Sequence, residues 1–564
     1  MMDAGKSYWD RFQTHTLGRR GLLRAGALAA GAGALAACGG RQAGQSSAPA
    51  QTGASAGKPR SGGIMNMSVP ADPFNWDPTY AGPGLPNPYG TVLAYNSLLG
   101  YKTSTGMKYD DLTLAPELAE RWEVPDPQTF IFHLRKGVKF ANTVPVNGRE
   151  LTPADVKFSY EYWARSGAYS KLPQSQYDIF FEGMTSIDSP DASTVVVHFK
   201  APFVPFLNYT ASRFVPIVPH EIYDQDGHFK DKIAGTGPFQ IDLSASQKGT
   251  KWVWKKNPTY WDAGKPYMDE IHWLVLKDDA AQNAALQTKQ VDLLFANVDN
   301  GRVQTLTKAA PNLVKYEYDD PAPMHLYMQL KNPALNDIRV RQAIALTIDR
   351  DAFLKTLYGG KGGWGMAGAF PDTFTQEEIK GLLKYDPAQA KQLMVAAGYA
   401  NGVDLQFNYP GNAYGDEYIT QMQLLQSQLK PIGVNLQLNA LDKDDESTRK
   451  KQHNFTITDT TKSLQGDVDS YLYAAFYPGN RANYTEVNDP QLTPLLDAQR
   501  REPDAAKRRD IVRQAAKRIT TEMFWAEAIY LPVRFQLWQP RLHDYQPYFG
   551  SNTTPTFTNA WLEG

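Results

Sequence analysis

The sequence predicts a mixed α/β protein built from more than one lobe. Three observations carry this expectation. The chain has 564 residues with 12 Trp, 30 Tyr and 25 Phe, enough large apolar side chains for more than one core. Short alternating runs, at Gly63 to Met67 and from Phe130 to Arg135, have the period of strands. Other stretches carry helix punctuation, with an Asp or Thr cap, a proline in the first turn or a glycine after the last. Composition also excludes some classes. With 58 basic and 59 acidic residues there is no electrostatic footprint for nucleic acid. The nine histidines include no H-E-x-x-H arrangement, so no metal site, cofactor or catalytic residue is assigned.

The N-terminal stretch sets the expected compartment. Gly18-Arg19-Arg20-Gly21-Leu22-Leu23-Arg24 resembles a twin-arginine export signal, and the weakly apolar run from Ala25 to Ala37 is short for a bilayer span, which disfavours an uncut anchor. Leu35-Ala36-Ala37-Cys38 looks like a bacterial lipobox, which puts the lipid on Cys38. This is the only cysteine, so no intramolecular disulfide is expected. A signal peptide over 1–37 and a lipid-anchored linker over 38–62 follow, for an extracytoplasmic, membrane-anchored protein. From Gly39 to Gly62 no aromatic or branched aliphatic side chain is available to bury, the composition of a tether. Gly53-Ala54-Ser55-Ala56-Gly57 fits the G-x-S-x-G pattern, but this linker supplies neither the strand nor the helix that a nucleophile elbow needs.

The body begins with the Gly63 to Met67 strand. The proline-bearing loop from Pro70 to Pro78 then presents Asn75 and Trp76, as a ligand wall or as a Trp packed on its own loop. Thr152, Pro153 and Asp155 open a helix that runs to about Trp163. Gly235 and Gly237 suit a sharp turn, and no Gly-Lys-Ser/Thr run follows to make them a phosphate cradle. Val340, Ile344 and Ile348 make one buried helical face, with Arg339 and Arg341 read as solvated. Asp349 caps a second helix that stops at Gly359-Gly360, and Asp386-Pro387 opens another that ends before Gly398.

Several of these segments form a series. Leu114 to Trp122, Phe132 to Phe140 and Leu151 to Ser159 are followed by Gly235 to Phe239, Lys256-Asn257-Pro258-Thr259-Tyr260-Trp261 and Asn336 to Arg350. In this order they resemble extracellular solute-binding protein family 5, the oligopeptide and dipeptide binding type. The resemblance implies a two-lobed periplasmic-binding-protein-like fold (type II, cluster C) that closes around ligand by hinge motion. Lobe I is expected over 63–105, 233–330 and 528–564, an inserted subdomain over 106–232 and lobe II over 331–527. It also implies a monomer that delivers a peptide or other small solute to an ABC permease. The sequence has no Walker-type loop, so the ATPase is expected on a partner subunit.

The resemblance also places ligand contacts, and here the sequence departs from the better-known members. In dipeptide and oligopeptide binders an aspartate shortly before a D-x-D-x-aromatic segment pairs with the ligand's α-amino group. That segment here is Asp467 to Tyr471, and the amine position falls near Leu464, which cannot pair with an ammonium. Asp459, Asp467 and Asp469 are the acids that stand near it. Dipeptide binders place an arginine for the ligand carboxylate where this chain has Asn408-Tyr409-Pro410-Gly411-Asn412-Ala413-Tyr414. The expected cleft therefore combines Asn75, Trp76, Trp364, Tyr409, Asn412, Tyr414, Asp459, Asp467, Asp469 and Tyr471. Its ligand is a peptide or peptide-like solute, with an oligosaccharide or other neutral solute as the alternative. An exported hydrolase with paired carboxylates is the rival class, and the expectation is that the chain is not an enzyme.

Overall fold

The chain passes twice between its two largest sheets. The computed structural model describes Trp9 and residues 57–564, apart from 79–86, 105, 176, 296–297, 369–371, 412–414, 462–465 and 549–553. The first sheet has seven strands, in the order Val314–Asp319, Val533–Trp538, Leu293–Leu294, Ile64–Val69, Glu270–Val275, Lys251–Lys256, Phe239–Gln247. Ile64–Val69, the strand expected at the start of the body, is central and parallel to both neighbours, with Met65, Met67 and Val69 buried. The second sheet has five strands, in the order Val434–Leu441, Val403–Pro410, Ile457–Thr461, Met324–Met328, Ala526–Ala528.

Within 106–232 lies a separate four-stranded antiparallel sheet, ordered Ala119–Asp126, Thr129–Leu134, Thr194–Phe199, Met184–Asp191. Phe130, Phe132 and Leu134 are its buried face, as their alternation predicts. The helix Pro153–Ala164 packs on it and starts in a capping box formed by Thr152 and Asp155.

The chain leaves the first sheet after Asp319 and returns at Val533. Between these points it crosses at Asp320 to Pro323 and at Ile529 to Pro532. The crossing segments touch sparingly: Asp320 N donates to Pro532 O at 2.9 Å and Ile529 N to Met324 O at 3.0 Å. Pro321, Pro323 and Pro532 have no N–H to add to a ladder, which suits a hinge. The strand Met324–Met328 differs from the expected boundaries, which left it in lobe I. It pairs with Ile457–Thr461 and Ala526–Ala528, and all five of its residues are buried. Both sheets take apolar strands, so composition carries no mark of the crossing.

The helix Ile338–Thr347 buries Val340 and Ile344, with Ile348 behind them, and Asp349 caps the helix Arg350–Tyr358, which ends at Gly359 with φ +62°. Arg341 corrects the solvated-face reading. It is buried and donates to the carbonyls of Leu335, Asn336 and Met523, whereas Arg339 stays exposed beside Asp337. Helical period assigns a face to a Cα, and a guanidinium on a long stem reaches past it. Trp9, inside the stretch read as a signal peptide, is buried against the larger core cluster. Among the described residues no helix is long and apolar enough to cross a membrane.

Gly235 and Gly237 are glycines for a reason other than turn geometry, since neither has a positive φ. A Cβ on Gly237 would lie 2.5 Å from Leu93 O and would collide with the Ala94 carbonyl carbon, while one on Gly235 would collide with Ala94 O. Both obstacles are backbone and cannot rotate away. The G237A variant is expected to lose about 2–4 kcal/mol of stability through overpacking, read as a lower denaturant midpoint.

Candidate ligand cleft

The strands Val403–Pro410 and Ile457–Thr461 run parallel, and Thr461 lies opposite Met324, the first residue after the crossing. Their C-terminal ends therefore open beside the hinge, where α/β sheets commonly hold ligands. The loops that continue them include 412–414 and 462–465, so Asn412 and Tyr414 lie outside the described residues, as does Leu464.

Strand register sorts the remaining side chains by face. Asp459 and Glu527 both stand opposite Leu326, and so share one face with Tyr409. Asp459 is buried, and burial pushes its carboxyl up to about 6 against the pull of Lys450 and the neighbouring Tyr418. Tyr409, the last residue but one of its strand, has its ring 6.0 Å from that of Tyr418. Lys450 donates to the Asp459 carbonyl at 3.2 Å and pairs with Glu446 at 2.6 Å. Burial, with Lys450 nearby, brings the Lys443 amine down to about 8. Glu527 is fully buried and takes a hydrogen bond from Arg350 Nη2 at 3.0 Å on one oxygen only. Burial pushes it up to about 7 despite that guanidinium. The opposite face carries His325 and Tyr327. Tyr471, from the helix Asp469–Phe476, stacks on the His325 ring at 4.7 Å.

These features describe two α/β sheets hinged beside strand ends that carry buried acids and tyrosines. Residues 113–483, well over half of the chain, match the model of the bacterial extracellular solute-binding proteins, family 5 Middle. The chain belongs to this family. Among curated relatives, the dipeptide-binding protein of Escherichia coli strain K12 is 27% identical over 449 residues, covering 75% of this chain and 81% of that protein. Heme-binding protein A of Haemophilus influenzae is 25% identical over 488 residues, covering 82% and 87%. Among solved structures, the periplasmic binding protein DppA of Helicobacter pylori in complex with the peptide STSA superposes with a TM-score of 0.75 at 22% identity, over 90% of this chain and 99% of that one. The two-lobed binding-protein fold is thus shared.

Within this family 5 chain the other expected contacts are dispersed. Asp467 is buried and bonded to Arg508 Nη2 at 2.6 Å, with Asn208 Nδ2 at 3.1 Å. Asp469 lies 3.2 Å from Arg500 Nε and accepts from Tyr209 at 2.8 Å and from Gln499. Both carboxylates are already matched by guanidinium groups, which answers the expectation that either would meet a ligand ammonium. Trp76 sits edge-on to Trp252 and Trp254 at 5.5 and 5.7 Å, packed on the first sheet, and Asn75 turns its own loop by accepting from Asp77 N. Trp364 lies on the hinge. Its strand pairs with Tyr530–Leu531, and its Nε1 donates to Asp351 at 2.7 Å. The residues that sequence reasoning did not single out are His325, Arg500, Arg508 and the Arg350–Glu527 pair. Arg350 closes the family-like segment Asn336 to Arg350, but nothing in its spacing distinguishes a buried arginine from a surface one.

The buried acids give a pH signature. Asp459, at about 6, and Glu527 and Glu117, each at about 7, hold protons that the unfolded chain has lost at its ordinary values of 3.8 and 4.5. The folded state binds more protons between those limits, so stability falls as pH rises from about 4.5 to about 7. Glu378, held near 2 by Arg513, is ionised in both states there and adds no slope. Calorimetry from pH 5 to pH 7.5 is expected to show a falling melting temperature, with a shallower decline in D459N.

Proposed function

We propose that this chain is the solute-capturing subunit of an ABC importer, lipidated on Cys38 after removal of residues 1–37 and tethered by 38–62. It acts as a monomer outside the cytoplasm, closes over a peptide or peptide-like solute, and hands it to a membrane permease driven by a separate ATPase. The observation that carries this reading is the double crossing beside the strand ends that bear Tyr409 and Asp459. It supplies a cleft wall on a hinged lobe. Asp459 is the acid we assign to a ligand ammonium. A cation brought within hydrogen-bond reach would draw its carboxyl back into the ionised form.

Family membership and the E. coli dipeptide-binding relative favour a peptide ligand. A second reading, a neutral solute such as an oligosaccharide, is favoured by one observation. Asp467 and Asp469 are both paired with arginines, which leaves a single candidate acid. The architecture accommodates varied cargo, since another structure of this fold, at a TM-score of 0.74, holds agropinic acid.

The test is native mass spectrometry of the undenatured protein, followed by thermal-shift titration with dipeptide and oligosaccharide panels. The peptide reading expects a co-purified peptide and stabilisation by dipeptides, about 2.7 kcal/mol at a hundredfold excess over Kd, that is lost in D459N. Stabilisation by saccharides alone would establish the neutral reading. Turnover of a chromogenic glycoside or peptide at enzymatic rates would overturn both.

A further inference from the structure

A buried polar seam joins the 106–232 segment to the second lobe, and Arg500 stands at its centre. This arginine is 8% exposed. Its guanidinium lies 3.7 Å from the centre of the Tyr473 ring and 4.7 Å from that of Phe203. Nη1 donates to Glu182 Oε2 at 2.6 Å, Nη2 donates to Ile179 O at 2.9 Å, and Nε lies 3.2 Å from Asp469. Glu182, Ile179 and Phe203 belong to the 106–232 segment, whereas Tyr473 and Asp469 belong to the second lobe. Four further bonds cross the same seam: Tyr473 to Glu182 at 2.9 Å, Tyr209 to Asp469 at 2.8 Å, Asn208 to Asp467 at 3.1 Å, and Val204 N to Arg500 O at 2.8 Å.

The distribution of charge separates a reversible clasp from a fused core. If the seam parts, Arg500 keeps Asp469 and Asp467 keeps Arg508, both partners being within the second lobe. No buried charge is stranded. Glu182, the acid left behind, is already 45% exposed and returns to water at little cost. What is lost is a set of charge-assisted bonds, the Phe203 face of the guanidinium and apolar contacts of a core cluster with members on both sides of the seam, all of them favourable when closed. The contact is also sterically close. Gly466, with φ +83°, backs onto Tyr101 of the first lobe so tightly that a Cβ would collide with the phenol oxygen.

We propose that Arg500 is the pin of a clasp that holds the lobes closed, and so sets apparent ligand affinity without touching ligand. Apparent Kd scales inversely with the fraction of protein in the closed form, so each tenfold loss of that fraction weakens binding tenfold. The affinity consequence rests on the solute-capture reading, whereas the clasp itself does not.

The test therefore reads the seam without any ligand. Hydrogen exchange at the Val204 amide, whose bond to Arg500 O crosses the seam, is compared with small-angle X-ray scattering on full-length wild type, E182Q and R500M. Loss of these charge-assisted bonds is expected to speed Val204 exchange by roughly tenfold in E182Q and up to about a hundredfold in R500M, with a larger radius of gyration. Because Glu182 is half exposed, E182Q should keep the wild-type melting temperature. Unchanged exchange and radius in both E182Q and R500M would overturn the clasp and make the seam a permanent part of the core. If E182Q and R500M open the seam but no solute of either panel stabilises any form, the clasp stands and the solute-capture reading fails.

Discussion

The second sheet is completed by the strands through which the chain enters and leaves it. Met324–Met328 and Ala526–Ala528 lie side by side and antiparallel, so everything between them is a loop pinned at its base. Hydrogen bonding across this pair, together with burial of every residue of the entry strand, is the constraint on which the rest of the molecule depends. It forces both crossings to one place, and it brings the ends of Val403–Pro410 and Ile457–Thr461 beside the crossing. The position of the cleft follows from this register.

Several buried charges are matched by partners on segments distant in sequence. Arg350 meets Glu527 and Arg508 meets Asp467, both pairs being buried on each side, whereas in the first lobe the exposed Arg541 reaches in to the buried Asp292, which also accepts from Asn66 N in the central strand. Desolvation offsets most of the attraction in such pairs, so they add little net stability. Removing one partner of a pair buried on both sides, Arg350–Glu527 or Arg508–Asp467, costs about 3–5 kcal/mol. Their effect is on geometry, because an alternative packing would strand a charge. Asp459 differs from these acids in meeting no guanidinium. Burial raises its carboxyl, and its neighbours Lys450 and Tyr418 offset that only in part.

The sequence made local structure legible wherever cause and effect lie within a few residues. The Thr152–Asp155 capping box, the Asp349 cap with its Gly359 stop, and the apolar face of Val340, Ile344 and Ile348 are all of this kind. Family membership was legible from ordered segments, and it implied the two lobes. Features that depend on a distant neighbour were not legible. Gly235 and Gly237 read as a turn because nothing in sequence says that Ala94 lies against them. Asp467 and Asp469 read as ligand acids because their partners, Arg508 and Arg500, lie on later helices with no motif of their own. Trp76 could face a cleft or pack, and only the adjacency of Trp252 and Trp254 decides for packing.

The strand Val533–Trp538 sits inside the first sheet, between Val314–Asp319 and Leu293–Leu294. The second sheet therefore lacks its last strand until residue 528 has been synthesised, and the first sheet lacks an interior strand until residue 538. The long-range pairings that close both lobes form late, from strands far apart in sequence, which slows folding relative to a chain held by local contacts. Export of such a chain before it folds and export after it folds place opposite demands on it. A pathway that carries finished proteins would have to wait for those last strands to dock, whereas one that threads an unfolded chain would have to act before they do.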